Sequence, residues 1–167
     1  MLGVSRKILH MNYRFGIESD LDLLAEWNHQ LIRDEGHRNL MSIRQLRERM
    51  KGWLEGEYKA VILDIDADPV AYALYKEDAK EIYLRQLFVK RGHRRQGIGR
   101  EAVGILQKQI WPPDKRLTVE VLTANELAVA FWRSVGYTDY CLTLEIMPKE
   151  IGEQAHAPDA LPLADDA

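Results

Sequence analysis

The stretch Leu87-Phe88-Val89-Lys90-Arg91-Gly92-His93-Arg94-Arg95-Gln96-Gly97-Ile98-Gly99-Arg100 decides how the rest of the chain is read. An apolar run ends in a basic loop that carries glycines, and a helical pattern opens directly after them. Lys90, Arg91, Arg94, Arg95 and Arg100 bring five formal positive charges with no acid among them. Gly97 and Gly99 let the backbone turn so that successive N–H groups converge, which makes an anion nest at a helix N-terminus. A phosphate or pyrophosphate suits such a place; a solvated basic loop ahead of a helix is the plainer alternative. Two known phosphate patterns do not fit. A P-loop needs Lys-Ser or Lys-Thr after its last glycine. A dinucleotide fingerprint needs Gly-x-Gly-x-x-Gly early in a βαβ unit, whereas Gly97-Ile98-Gly99 is followed by Arg-Glu-Ala late in the chain.

Outward from that stretch the chain falls into short elements. On its N-terminal side, residues 60–65, 70–75 and 81–89 are apolar runs separated by Asp66-Ala67-Asp68-Pro69 and Glu77-Asp78-Ala79-Lys80. Both separators have turn composition, which predicts an antiparallel meander. Earlier still, Ser19 with Asp22 and Ser42 with Gln45 have the spacing of helix-capping pairs. Leu21, Leu24, Trp27 and Leu31, then Ile43, Leu46, Met50 and Trp53, predict two amphipathic helices. Residues 7–15 read as a strand before them. On the C-terminal side, Val103, Leu106 and Ile110 carry a helix from Gly99 to the stop at Pro112-Pro113. Residues 117–122 read as a strand. Asn125 is placed to cap a helix bearing Leu127, Ala128, Phe131, Trp132 and Val135, with Gly136 as its left-handed terminal residue. Residues 140–147 read as a last strand. The order β-αα-βββ-α-β-α-β predicts an α/β fold, a mixed and mostly antiparallel sheet of about six or seven strands with helices on both faces.

Composition narrows the functional classes. The 167 residues are one domain's worth, and 46% apolar with 29% charged residues is ordinary for a globular protein. The formal net charge is −3. Residues 148–167 contribute −4 of it and residues 1–147 carry +1, which argues against a nucleic-acid partner. The lone Cys141 excludes an intrachain disulfide and a cysteine-based zinc site. His10, His29, His37, His93 and His156 show no metal-ligand spacing. The longest apolar run is six residues, 70–75, far short of a membrane span, and residues 1–10 lack a signal-peptide core. These readings predict a cytoplasmic protein with one domain over residues 1–147, no metal and no membrane partner; they leave a homodimer open. Residues 148–167, rich in Ala, Pro and Asp and without period, are predicted to be a disordered acidic tail.

Arg94-x-x-Gly97-x-Gly99 after Gln86-Leu87-Phe88-Val89 resembles the acyl-CoA signature of the GNAT superfamily of N-acyltransferases. Residues 117–137, LTVEVLTANELAVAFWRSVGY, resemble its second signature: a strand, an Asn, an Ala, an aromatic pair, then Gly-Tyr or Gly-Phe. The resemblance implies a GNAT-like fold and an N-acetyltransferase that moves an acetyl group from acetyl-CoA to an amine by direct attack in a ternary complex. It implies that backbone groups of Leu87, Phe88 and Val89 pair with the pantetheine arm. The N–H groups of Arg95, Gln96, Gly97, Ile98, Gly99 and Arg100 would receive the pyrophosphate, helped by the Arg94 and Arg95 side chains, while Asn125 and Trp132 lie against the cofactor. For Asn125 a helix cap alone is the plainer reading.

The same resemblance implies catalytic positions. A primary amine with pKa near 10.4 must lose a proton before it attacks the thioester. The tetrahedral oxyanion would be met by a backbone N–H near Phe88. Many relatives carry a Tyr as the second aromatic of the pair, acting as acid to the thiolate; here it is Trp132, whose indole N–H donates a hydrogen bond but no proton. A thiolate with conjugate pKa near 8.5 leaves tolerably without help. Tyr137 is the weaker stand-in, and core packing is its ordinary reading. Tyr83 and Arg85 share a face of the third meander strand unless a bulge intervenes, Tyr83 standing near the position of a catalytic Glu in some relatives; a water chain is the default base. The acceptor side falls to the first two helices and their loop, where Asp34 and Glu35 would bind a cationic amine and His37 would relay its proton. A polar helix-to-helix connection is the plainer and preferred reading of those three. A catalytically weak acyl-CoA-binding regulatory protein is the alternative, motivated by Trp132.

Overall fold

The computed structural model describes residues 10–148. The predicted tail therefore falls almost wholly outside the described residues, as do the first residues of the strand predicted over 7–15. Five strands form one sheet in the order β1-β2-β3-β4-β5: Met11–Phe15, Tyr58–Ile65, Asp68–Glu77, Glu81–Val89 and Arg116–Val119. The first four pair antiparallel, and β4 pairs parallel with β5. Between β1 and β2 lie α1 (Leu21–Asp34) and α2 (Ile43–Glu55). Between β4 and β5 lies α3 (Ile98–Ile105), whose last turn widens through Leu106–Ile110, and α4 (Glu126–Ser134) follows β5. The parallel pairing needs that crossover, since a tight hairpin joins only antiparallel neighbours.

Alternation along the strands assigns the two faces. Ala60, Ile62, Tyr72, Leu74 and Phe88 pack under Leu21, Leu24, Trp27 and Leu31 of α1 and Met50 of α2. Val61, Leu63, Ile65, Ala71, Ala73, Tyr75, Ile82 and Leu84 pack under Ile98, Ala102, Val103 and Leu106 of the α3 segment and Trp132 of α4. Covering on both sides is why β2 and β3 read as nearly continuous apolar runs. Asp66 and Ala67, both at positive φ (51° and 64°), form a two-residue hairpin turn whose twist suits the flanking strands.

Two capping expectations meet different outcomes. Ser42 and Gln45 form the reciprocal box at the start of α2, with Ser42 N–H donating to Gln45 Oε1 at 2.8 Å and Gln45 N–H donating to Ser42 Oγ at 3.3 Å. Ser19 does not cap α1. It sits inside a short 3-10 turn, Glu18–Asp20, and Asp20 stands at the N-cap of α1 without a side-chain bond to the helix, its carboxylate accepting instead from Ile17 N–H at 2.8 Å and from both Arg14 guanidinium nitrogens at 2.8 Å. That bidentate pair joins the end of β1 to the start of α1.

The strand predicted over 140–147 is absent, which leaves five strands among the described residues rather than six or seven. Tyr140, Leu142, Leu144 and Ile146 alternate as a strand does, yet all four are exposed. β5 is only four residues long and pairs with β4 alone. The chain beyond Tyr137 passes off its edge, held by side chains: the Arg116 guanidinium lies 4.6 Å from the Tyr140 ring, and Arg38 bonds Glu145 and the Met147 sulfur. A period of two shows which residues would share a face; it does not supply a neighbouring ladder.

Candidate active site

The site is built where β4 and β5 part. Their pairing runs from Glu81↔Arg116 to Leu84↔Val119 and stops. From Arg85 to Val89, β4 keeps β3 as its neighbour on one side and, among the described residues, has no strand on the other. A β-bulge falls at the same point: Tyr75 pairs with Leu84 and Leu74 with Gln86, so Arg85 has no partner on β3. The extra residue changes the phase of the strand. Ile82 and Leu84 face the α3 side before it, while Phe88 faces α1 after it. Gln86 is turned to the α1 side as well, accepting from the Tyr72 hydroxyl at 3.0 Å and donating to the buried Asn28 Oδ1 at 2.8 Å. The sequence reading missed Gln86 and Asn28; their polar pairing across 58 residues leaves no local signal.

At the C-terminal end of β4 the chain turns through Arg91–His93 and enters α3 at Gly97, whose φ of 82° is left-handed; Arg95 is at +63°. Consecutive N–H groups at such a junction face one point, and the α3 dipole adds to them. The two glycines differ. A Cβ at Gly97 would meet nothing within 4 Å, so only conformation restricts it, whereas a Cβ at Gly99 would stand 3.3 Å from the Phe131 ring. Gly99 thus allows α3 to approach α4.

Most of the loop's charge is already engaged. Asp34, at the end of α1, accepts from Arg91 and from Arg94 at 2.6 Å each. Arg94 also donates to the Val89 carbonyl at 2.7 Å and lies 5.5 Å over the Phe88 ring. Lys90 faces Asp68, and Arg100 bonds the Ser134 carbonyl and hydroxyl on α4. Among the described residues, Arg95 is the one cation of this loop with no side-chain bond. Gln96 donates to the Gly92 carbonyl. The two arginines hold the Asp34 carboxyl below the usual range against the opposing effect of its desolvation. Glu35 is pushed the other way by desolvation and by the Asp34 charge, and it makes no side-chain bond. His37 Nδ1 accepts from Asn39 N–H at 3.1 Å.

The predicted catalytic positions are spread over both faces. Tyr83 donates to Glu120 Oε2 at 3.1 Å, just where β4 and β5 diverge; burial, then the Glu120 charge, pushes its hydroxyl up to about 12. Glu120 was not anticipated from sequence. Arg85 shares the α1–α2 face with Tyr83 despite the bulge: its guanidinium is 4.6 Å from the Trp53 ring of α2 and 5.8 Å from the Tyr58 ring, and Lys76 lies over both Tyr58 and Tyr83. Trp132 is buried in the α3-side core, edge-on to Phe131 and Tyr137. The Tyr137 hydroxyl is buried without a partner and burial pushes it up to about 12. Asn125 caps α4, its Oδ1 accepting from Ala128 N–H at 3.2 Å. The donor Nδ2 of that amide is left over.

Comparison with known proteins agrees with the fold. No curated protein matches the sequence. The chain superimposes on a possible acetyltransferase of Clostridium difficile 630 with a TM-score of 0.69 at 17% identity, covering 83% of this chain and 99% of that one. It superimposes on the aminoglycoside N-acetyltransferase AAC(6')-Iy, solved with CoA, with a TM-score of 0.67 at 12% identity, covering 84% and 96%. An acetyltransferase of Thermus thermophilus gives 0.66 at 22% identity, covering 78% and 88%. At these identities the likeness is one of fold. Residues 25–145 match the family described as acetyltransferase (GNAT) domain, which spans both the α1–α2 side and the β4–α3–β5–α4 side of the site. The chain belongs to the GNAT acetyltransferase family.

Proposed function

We propose that the protein moves an acetyl group from acetyl-CoA to an amine by direct attack in a ternary complex. The observation that carries this reading is the strand-free side of β4 from Arg85 to Val89, leading straight to the nest at Gly97. Leu87, Phe88 and Val89 offer their backbone to the pantetheine arm as to an added strand. The N–H groups of Arg95, Gln96, Gly97, Ile98, Gly99 and Arg100 receive the pyrophosphate. Arg95 adds its side-chain charge, because Arg94 is taken up by Asp34 and the Val89 carbonyl. Asn125 contributes the amide nitrogen that capping leaves over.

The acceptor amine enters from the α1–α2 side. Glu35 is the acid that attracts it there, since Asp34 is committed to two arginines. Its proton leaves through water held at the Tyr83–Glu120 pair; Tyr83, with its hydroxyl near 12, stays protonated and orients that water. The oxyanion meets the Phe88 N–H. The thiolate departs unaided, because the buried Trp132 has no proton to give.

The test is thiol release from acetyl-CoA across a panel of amines, together with the melting temperature with and without acetyl-CoA. Amine-dependent release and a raised melting temperature are expected. Stabilisation with no turnover on any amine favours an acyl-CoA-binding regulatory protein, and no stabilisation at all overturns both readings.

A further inference from the structure

On the α1–α2 face of the β4 bulge, hydrogen-bond donors are gathered without acceptors to match. Arg49 of α2 and Arg85 of β4 both lie over the Trp53 ring, their guanidinium carbons 4.4 and 4.6 Å from its centroid. Arg85 also stands 5.8 Å from the Tyr58 ring, with its Nη1 3.5 Å from that hydroxyl. None of the ion pairs among the described residues includes either arginine, although seven of the other eleven arginines there have a carboxylate. Arg49 Nε is buried and has no hydrogen-bond partner. Desolvation and the neighbouring Arg85 charge both lower the affinity of Arg49 for its proton. Nearby, Asn28 is fully buried; its Oδ1 receives Gln86, but its Nδ2 has no partner. A recess of about 540 Å³, lined by Met41, Arg44, Gln45, Glu48 and Arg49, opens beside the cluster.

Two like charges held at one indole are mutually repulsive, and a buried donor without an acceptor is destabilising. Both defects are relieved by the same kind of guest: a planar anion with several lone pairs. Guanidinium groups match a carboxylate through paired N–H bonds, and the aromatic rings restrict their orientation. Arg85 belongs to the bulge, the first residue past the last β4–β5 pair, so such an anion would sit beside the point where the proposed acetyl transfer takes place.

We propose that the acceptor is an amine that also carries a carboxylate, and that Arg49 and Arg85 hold that carboxylate against Trp53. This rests on the acetyl-transfer reading of the same site and names its substrate class. A polycation such as an aminoglycoside would meet two arginines over Trp53, neither of them paired with a carboxylate among the described residues.

The test uses the standard amino acids, each against its own carboxamide. Every compound is titrated calorimetrically into the full-length protein with CoA present, and assayed for turnover with acetyl-CoA. For at least one amino acid, the carboxylate form should bind and react roughly tenfold or more better than its amide. Arg85→Gln and Arg49→Gln should each bring that ratio near one while the rise in melting temperature with acetyl-CoA persists. Arg85→Lys, which keeps the charge and loses the planar fork, should fall between. Carboxamides that equal the acids, no binding of any carboxylate form, or a ratio preserved in both Gln variants would overturn the proposal. Carboxylate-selective binding without acetylation keeps the carboxylate site at Arg49 and Arg85 but removes the acetyl-transfer reading and with it the ligand's role as acceptor; acetylation indifferent to the carboxylate keeps the transfer and removes the site.

Discussion

Gly97 and Gly99 stand two residues apart and answer different demands, one conformational and one steric. Gly97 at φ 82° has empty space where a Cβ would be, so Gly97→Ala should lose about 1–2 kcal/mol from the left-handed backbone alone. It should also loosen the nest, so acetyl-CoA should raise the melting temperature of this variant less than that of the parent. Gly99→Ala drives a methyl to 3.3 Å from Phe131. Overpacking costs about 1–3 kcal/mol, and the helix preference of Ala returns about 1 kcal/mol of it. This variant should melt lower yet respond to acetyl-CoA as the parent does. Thermal unfolding with and without the ligand separates the two, and identical behaviour would refute the division. At this scale the sequence shows where the special residues are but not what they touch. The motif singled out Gly97, Gly99, Arg94 and Arg95 together; that Arg94 is withdrawn to Asp34, 60 residues away, has no local trace.

Elements with a strong period were legible. β4 appears with the predicted limits, and the α2 and α4 caps appear at Ser42 and Asn125. The failures have a common cause, since each depends on a partner elsewhere. Residues 140–147 have a strand's alternation without a ladder, and Ser19 loses the start of α1 because Asp20 finds Arg14 on β1. The bulge was equally hidden, because Arg85 suits either face of a regular strand. Among the described residues, Asp34 supplies the ion pairs from α1 to the β4–α3 loop, through Arg91 and Arg94. Asp34→Asn should therefore leave α1 folded while the backbone amides of residues 90–97 exchange faster with deuterium. Unchanged exchange there would show that the loop is held by its own turn and by the Arg94 bond to Val89.

The whole molecule is a sheet closed on both faces, and its ionisable groups set limits to it at both ends of the pH scale. Asp20 is held below the usual carboxylate range first by its Arg14 hydrogen bonds, against desolvation, and then by Ile17 N–H; Asp34 is held down by Arg91 and Arg94 against its larger desolvation. A carboxyl lowered on folding stabilises the native state above its unfolded pKa, near 3.9, and that stability is lost as pH falls through the folded value. Tyr75, Tyr83 and Tyr137 are raised to about 12, chiefly by burial. A raised group stabilises fully below its unfolded pKa, near 10, and the stability is lost as pH climbs through the folded value. The melting temperature should thus be level from about pH 5 to 9 and fall on either side. Tyr137→Phe should flatten the alkaline limb, and an alkaline limb identical to the parent's would exclude Tyr137 as a contributor.

The phase change at Arg85 separates what the sheet requires from what the site requires. Tyr75 pairs with Leu84 and Leu74 with Gln86, so removing Arg85 would join two already consecutive pairs into an uninterrupted ladder. Every other side chain of β4 would keep its face: Ile82, Leu84, Leu87 and Val89 toward α3, and Phe88 toward α1. Inside an ordinary strand, losing one residue turns everything downstream inside out. Here the deletion should be silent to the core, leaving far-ultraviolet dichroism intact and the melting temperature within a few degrees, while selectivity among acceptors disappears. In this one residue the chain carries a letter that its architecture never spells with, and the fold can drop it without losing its place.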